Sequence, residues 1–484
     1  MAVTFYSTNN RSERINFETA LLRGQPQDYG LYMVARSEIP HLNSKQLKDM
    51  QKMSYSEIAF TVLNPFLDAE IPKAKLEELL YDAYREDKIP TRVERVTGNI
   101  HIMWLTDGPT YSFKDYAARF FGRTLNHFLG ARGMRRIVAV ATSGDTGGAV
   151  ADALYDLDNV DNIVFYPKNS VSGGQRKQMT TLGHNIYAFE VNGNFDVCQA
   201  LSKYLLGDKE FAMELFGDAQ RFTSANSISV GRLLPQAVYP FFAYSRIAKG
   251  GEPIVTSIPS GNFGDMMGTV LAREMGLPIS KIVCGVNENT EFPDFLQTGE
   301  YRVSSSKPSP SSAMIVSHPS NLARLIDFYG GHMFDQRDPI TRKVTKEGII
   351  DIMPNIDEMR RDIFSVSVTN PKHYETMRNV FIEHHIMLDP HGAVGWKALE
   401  IFNGENHDSS AVVYETADPS KFPEDVKKAT GATPQLPKGM KAQEMLEERI
   451  YSISSAPDIV EGALKLSDKQ INEAKEKIRI LKLR

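Results

Sequence analysis

The 484-residue chain is 42% apolar and 24% charged, an ordinary globular composition, and at ~150 residues per domain its length predicts about three structural units. Its 55 basic and 60 acidic side chains leave a formal charge of −5, too small and of the wrong sign for general nucleic-acid binding, so no nucleic-acid partner is expected. Two cysteines, Cys198 and Cys284, exclude a disulfide framework and an all-cysteine zinc site and fit a reducing, cytoplasmic compartment. No run approaches the ~18 uninterrupted apolar residues of a membrane span, and the first residues lack a basic then apolar leader, so no membrane role is expected.

Residues 44–86 have a helical pattern, with apolar residues at Ile58, Val62 and Phe66 and again at Leu76, Leu79, Leu80 and Ala83. This predicts a helical N-terminal domain over 1–92. Beyond Pro90 the texture becomes short β-branched runs, each followed by a Gly- or Pro-bearing turn and a helical stretch. Strands are predicted at 137–141, 163–166 and 186–191, with helices at 149–154 and 175–182. A second series gives strands at 254–258, 282–286 and 411–415, with a helix running to Met275. Such alternation builds parallel sheets covered on both faces. It divides the chain into α/β lobes over 93–250 and 251–430, with a tail over 431–484. Residues 195–249, mostly helical and aromatic, are the candidate crossing between lobes. The serine- and proline-rich stretch 304–312 reads as a mobile loop. The tail closes on an amphipathic helix announced by the capping box Ser467-Asp-Lys-Gln470, its basic residues forming a solvated face.

Two glycine-rich turns, Ser143-Gly-Asp-Thr-Gly-Gly148 and Ser260-Gly-Asn-Phe-Gly-Asp265, each join a strand to a helix, where backbone N–H groups converge on an anion. Neither has dinucleotide-binding spacing and no phosphate-binding Gly-x-x-x-x-Gly-Lys-Ser/Thr occurs. Singly, each is equally well read as a tight turn. Asp107-Gly-Pro-Thr-Tyr-Ser-Phe-Lys-Asp115 sets a lysine among aromatics where an apolar helix begins. Most lysines are solvated, but an enclosed amine is suited to Schiff-base chemistry. Thr416 ends a strand, where ligands of open α/β sheets collect; a β-branched residue there also simply fills the strand.

Taken together with further ordered motifs, these features make the chain recognisable. Tyr6-Ser-Thr8, Asp28-Tyr-Gly-Leu-Tyr32, Gln175-Arg-Lys-Gln-Met179, Gly193-Asn-Phe-Asp196, Asn226-Ser-Ile228, Gly231-Arg-Leu-Leu-Pro-Gln236, Asp389-Pro-His391 and Thr416-Ala-Asp-Pro-Ser-Lys-Phe422 complete the set. The chain resembles the threonine synthase family, in its longer branch, among the fold-type-II pyridoxal-phosphate (PLP) enzymes. The resemblance implies two three-layer α/β lobes with mostly parallel sheets plus the helical N-terminal domain, and an active site in the cleft between lobes. It implies PLP as cofactor and Lys114 as the Schiff-base lysine. Gly261, Asn262, Phe263 and Gly264 would hold the cofactor phosphate, and Thr416 would face the pyridine nitrogen. Ser143, Gly144, Asp145 and Thr146 would face the substrate, their hydroxyls and amides taking its carboxylate. The implied reaction converts O-phospho-L-homoserine and water to L-threonine and phosphate, the last step of threonine biosynthesis. Arg232, with Asn226 and Ser227, is the first candidate for the leaving phosphate and Lys168 the second; an ion pair between lobes is the plainer role for Arg232. Competing readings are a phospho-lyase that stops at 2-oxobutyrate and a catalytically silent binding relative. A monomer or a homodimer is expected.

The chain departs from the family pattern at three places. Tyr29 stands where a second Gly is usual, Ser229 where an Asn is usual, and Asp418 where a His is usual. A carboxylate at 418 would favour a protonated ring and divert substrate toward 2-oxobutyrate. His384, His385 and His391 do not have zinc spacing, so no metal is expected. His391 either lines the active-site rim or packs a loop.

Overall fold

A computed structural model describes residues 2–142, 144–339, 343–404, 409–460, 463–481 and 483. The chain gathers into two compact units, one of residues 1–107 and 227–435, the other of 108–226 and 436–484.

The first unit opens on a three-stranded antiparallel sheet, Asn10–Ile15, Phe5–Ser7 and Tyr32–Val34 in that order, which the helical reading of the N-terminus did not foresee. The predicted helices follow as Ser44–Asp49, Tyr55–Leu67 and Lys73–Tyr84. Ser54 and Glu57 form a capping box at the start of the second, which buries Ile58, Val62 and Phe66. Tyr29, at the position where the family usually has Gly, takes a left-handed φ of 65°. Its ring lies 4.2 Å from the Arg337 guanidinium, a contact no glycine offers.

The main sheet of this unit has six strands in the order Ile363–Ser367, Ile279–Val286, Ile254–Pro259, Ala411–Glu415, Ile100–Trp104, Arg92–Thr97. The first five run parallel and the last is antiparallel. Ile254–Pro259 and Ala411–Glu415 are buried at every residue, which explains their unbroken apolar runs. The division by contacts differs from the division by sequence. Ile100–Trp104 pairs with Ala411–Glu415, more than 300 residues away, and so stands with the later strands. The stretch 304–312 has no regular element, but side chains fasten it. Asn289 bonds Lys307 through both backbone groups, Asn370 reaches Pro308 O at 3.0 Å, and Ser311 Oγ meets His373 Nε2 at 3.0 Å.

The second unit is built on a wholly parallel sheet, Ile450–Ile453, Ile186–Val191, Val160–Pro167, Arg136–Ala141 and Phe222–Thr223. Helices Lys114–Ala131, Asp145–Leu154, Gly173–Thr180 and Phe195–Gly207 accompany it. The tail is more than an amphipathic helix, because Ile450–Ile453 adds an edge strand beside Ile186–Val191. Helix Asp468–Ile480 starts at the predicted capping box and drives Ile471, Ala474 and Ile478 into a core with Val197, Leu201 and Phe211. No helix among the described residues is long and apolar enough to cross a membrane.

Candidate active site

In the second unit, Lys114 is the first residue of its helix, following a loop that its neighbours hold. The carboxylate of Asp115 accepts from the Thr110 amide at 2.9 Å and from the Thr110 hydroxyl, and Gln178 Nε2 donates to Thr110 O at 3.1 Å. The lysine side chain is only 15% exposed; its Nζ lies 4.9 Å from the centre of the Phe113 ring and 4.0 Å from Asp145 Oδ2. The enclosed amine anticipated from the aromatic neighbours is therefore present.

Asp145 heads the next helix and is buried. Its other oxygen, Oδ1, accepts from Gln175 Nε2 at 2.9 Å, so a row Lys114, Asp145, Gln175 runs from one helix start to the next. Gln175 appears in a family-like motif but carried no assigned role in the sequence. The loop before Asp145 is knit by Thr142. Its Oγ1 accepts from Gly144 N and Gly147 N, both at 2.9 Å, and donates to Gly144 O at 3.0 Å. A Cβ at Gly147 would stand 2.4 Å from Thr142 Cγ2 and 2.6 Å from Met179 Sδ, so only glycine fits. Thr146 is half-buried and its side chain bonds no described residue. Ser143 lies outside the described residues. Lys168 is 57% exposed, with its ammonium 4.0 Å from Glu190. The Asn226 amide donates to Ser224 Oγ at 3.2 Å.

In the first unit, strand Ile254–Pro259 leads through residues 260–263 into helix Gly264–Glu274. Phe263 caps this helix with φ 60° and ψ 24°, a left-handed conformation that a non-glycine residue rarely holds without support. Its ring packs edge-on to Phe292 at 4.8 Å. The carbonyl of Asn262 accepts from Asn321 N at 3.2 Å and Asn321 Nδ2 at 2.9 Å, and its side-chain oxygen accepts from Ser320 N at 3.2 Å. The amides of residues 261–264 donate to no acceptor among the described residues. Four N–H groups at the start of an 11-residue helix, with the carbonyl of Asn262 fastened elsewhere, make a fitting cradle for a phosphate.

Thr416 follows strand Ala411–Glu415 and is 5% exposed; its hydroxyl bonds none of the described residues. Two carboxyl groups bracket its peptide. Glu415 Oε1 accepts from Asp389 N at 2.6 Å, and Asp389 Oδ2 accepts from Ala417 N at 3.0 Å. Burial, and after it the charge of Asp389, push the Glu415 carboxyl well above its usual range, favouring the neutral acid. Asp389 also accepts at 2.6 Å from His391 Nδ1, whose Nε2 takes the Ala313 amide at 3.2 Å. His391 thus packs a loop, its two ring nitrogens spent on Asp389 and on the Ala313 amide. His384 lies against Trp396, with ring centres 5.6 Å apart, and His385 caps a helix in left-handed conformation. Among the described residues no group of three or more metal-ligating side chains forms.

Arg232 is buried in the short helix Val230–Leu233, and burial lowers its pKa to about 10, so it stays charged at neutral pH. Ser229 precedes it with a buried hydroxyl that has no partner among the described residues. Asp418 turns its carboxylate onto the Ser420 amide at 2.8 Å and caps the turn Pro419–Lys421. Burial raises the pKa of that carboxyl.

The chain matches known proteins along nearly its whole length. Residues 4–84 match the family model for the threonine synthase N terminus, 99–416 that for pyridoxal-phosphate dependent enzymes, and 392–463 that for the threonine synthase C-terminal region. Threonine synthase of Pseudomonas aeruginosa is 33% identical over 439 residues, covering 90% of this chain and 92% of that protein. The crystal structure of PLP-bound threonine synthase from Brucella melitensis superposes with a TM-score of 0.86 at 29% identity, covering 99% of both chains. That of threonine synthase from yeast gives 0.85 at 29% identity over 98% of both. With these matches along nearly its whole length, the chain belongs to the threonine synthase family of fold-type-II PLP-dependent enzymes.

Proposed function

We propose that the chain converts O-phospho-L-homoserine and water to L-threonine and inorganic phosphate, using PLP. The observation that carries this reading is the placement of Lys114, enclosed at a helix start with its amine 4.0 Å from a buried carboxylate that Gln175 holds. PLP, when bound, supplies the electron sink that makes the protons on the substrate's carbon chain removable.

The protein's part is binding and proton movement. Lys114 is the base and acid that carries protons between Cα, Cβ and Cγ, and Asp145 is the countercharge for its ammonium form. Amides 261–264 take the cofactor phosphate, and Thr416 offers the pyridine nitrogen a hydroxyl. Because a hydroxyl does not require that nitrogen to be protonated, it moderates the sink in favour of chemistry at Cβ and Cγ. The Gly144 amide is already bonded to Thr142, which leaves the Thr146 hydroxyl as the nearer candidate for the substrate carboxylate. Arg232, Asn226 and Ser227 serve the leaving phosphate, because a planar guanidinium strengthens its hold as charge develops there. Lys168, exposed and near Glu190, is the weaker candidate.

The test is direct. With PLP added, the protein is expected to show a yellow absorbance band that borohydride bleaches and that Lys114→Ala abolishes. O-Phosphohomoserine should then yield phosphate and threonine in equal amounts; 2-oxobutyrate in place of threonine would make the protein a phospho-lyase, and no band would make it a silent relative. Asp418 bears on this choice. Its carboxylate is spent on the cap at Ser420, so Asp418→His should leave threonine the main product.

A further inference from the structure

Arg324 lies in the helix Leu322–Phe328, whose one other charged residue, Asp327, is taken by Arg11 and Tyr6, and no part of Arg324 is exposed to solvent. Its guanidinium donates from Nε to Tyr32 O at 3.0 Å, from Nη1 to Asn321 Oδ1 at 2.5 Å, and from Nη2 to Ile228 O at 2.5 Å. All three acceptors are neutral. No carboxylate among the described residues pairs with it, and burial alone pushes its pKa down to about 9, which still leaves it charged at neutral pH. A buried cation without a countercharge is costly, and proteins keep one where an anion arrives to meet it.

The acceptors say where that anion binds. Asn321, held by Nη1, donates its own Nδ2 and backbone N–H to Asn262 O in the open loop. Ile228 O, held by Nη2, follows Asn226 and Ser227, the segment proposed for the leaving phosphate. The guanidinium therefore holds the Ile228 carbonyl directly and the Asn262 carbonyl through Asn321, while the amides of 261–264 stay open for a ligand.

We infer that Arg324 is a positioning residue for a phosphate monoester dianion: it orients the 261–264 loop and the 226–228 segment, and its charge is balanced when the dianion seats on them. The inference rests on the reading of 261–264 as the cofactor-phosphate loop. The dianion's source is the cofactor or the substrate, and the experiment separates the two.

Binding of PLP and of pyridoxal, which lacks the phosphate, is measured by absorbance for the parent, Arg324→Gln, Arg324→Lys and Asn321→Asp. Asn321→Asp keeps the arginine and sets a carboxylate beside it, so its charge is spent inside the protein without emptying the site. The parent should prefer PLP strongly. Both Arg324→Gln and Asn321→Asp should lose about tenfold or more of that preference, with pyridoxal affinity changed by less than about twofold, and Arg324→Lys should regain part of it. An intact preference, together with a raised KM for O-phosphohomoserine at saturating PLP and an unchanged kcat, assigns Arg324 to the substrate's phosphate. Equal losses for PLP and pyridoxal, or no change in either preference or KM, overturn the inference and leave Arg324 a packing residue. If Arg324→Gln does not fold, Arg324→Lys decides by the same ratio, because Asn321→Asp also removes the Nδ2 donor to Asn262 O. A parent that does not prefer PLP over pyridoxal overturns the loop reading itself, whatever the variants do.

Discussion

The two glycine-rich turns look alike in the sequence and do opposite things with their amides. In the turn that leads into helix Asp145–Leu154, Thr142 Oγ1 accepts from Gly144 N and Gly147 N, so those two amides are spent within the turn, which presents the carboxylate of Asp145. In residues 261–264 the amides meet no acceptor among the described residues, while the Asn262 carbonyl is tied down by Asn321. The first is a rigid mount for a carboxylate that faces a lysine. The second leaves its amides open, as the anion cradle proposed for it requires. The contrast shows that glycine spacing marks a close approach of backbone to something, and the hydrogen-bond accounting of the loop decides to what.

The comparison can be broken by removing what distinguishes each loop. The largest effect is expected at Gly261, where a Cβ would stand 2.9 Å from Ala313 O and 3.0 Å from Met314 Cα. Both neighbours are backbone, so in Gly261→Ala the loop itself must shift. Overpacking of this kind costs about 1–3 kcal/mol, and PLP affinity should fall by roughly 10- to 100-fold, read by absorbance titration, with a far smaller change for pyridoxal.

Thr142→Val should act through stability first. It strands the buried amide of Gly144, at about 1–3 kcal/mol, and leaves Gly147 N only its bond to Gly144 O, whereas Thr142→Ser keeps the oxygen and most of the stability. Urea unfolding checks the difference. PLP-phosphate discrimination should be untouched in both, since the cradle lies on the other loop; a loss of discrimination in Thr142→Val would erase the distinction drawn between the two.

The smallest effect concerns the carboxyl beside Thr416. Glu415 has its folded-state pKa raised above the ordinary 4.5, so the folded chain holds a proton that the unfolded chain releases. Its contribution to stability is complete below that ordinary value and is lost as pH rises toward the raised one. Glu415→Gln removes this dependence. Melting temperatures of parent and variant should coincide near about pH 4 and diverge at higher pH in favour of the variant. A parallel pair of curves would mean that Glu415 is ionised in the fold.

Much of the fold was legible in local pattern. Strand Ile186–Val191 and the strand Ala411–Glu415 stand where β-branched runs predicted them, and helix Asp468–Ile480 starts at the capping box read from Ser467. The N-terminal three-stranded sheet was missed because Phe5–Ser7 and Tyr32–Val34 are only three residues each, too short for alternation to show. The edge strand Ile450–Ile453 was missed because it borrows its order from Ile186–Val191, far away in sequence.

Of the candidate site, the sequence by itself determined the chemistry-bearing residue types: an amine among aromatics, two strand-to-helix turns, a hydroxyl at a strand end. Those depend on local spacing, and the family resemblance gave them roles. Only the tertiary structure decided which groups meet. Asp145 is set against Lys114 by helix packing, Asn321 reaches Asn262 across 59 residues, and Arg324 reaches Tyr32 across 292. Beyond Asn321, three residues away, the acceptors of Arg324 are distant in sequence, because the partners of a buried charge are chosen by burial and packing, and both are properties of the folded chain.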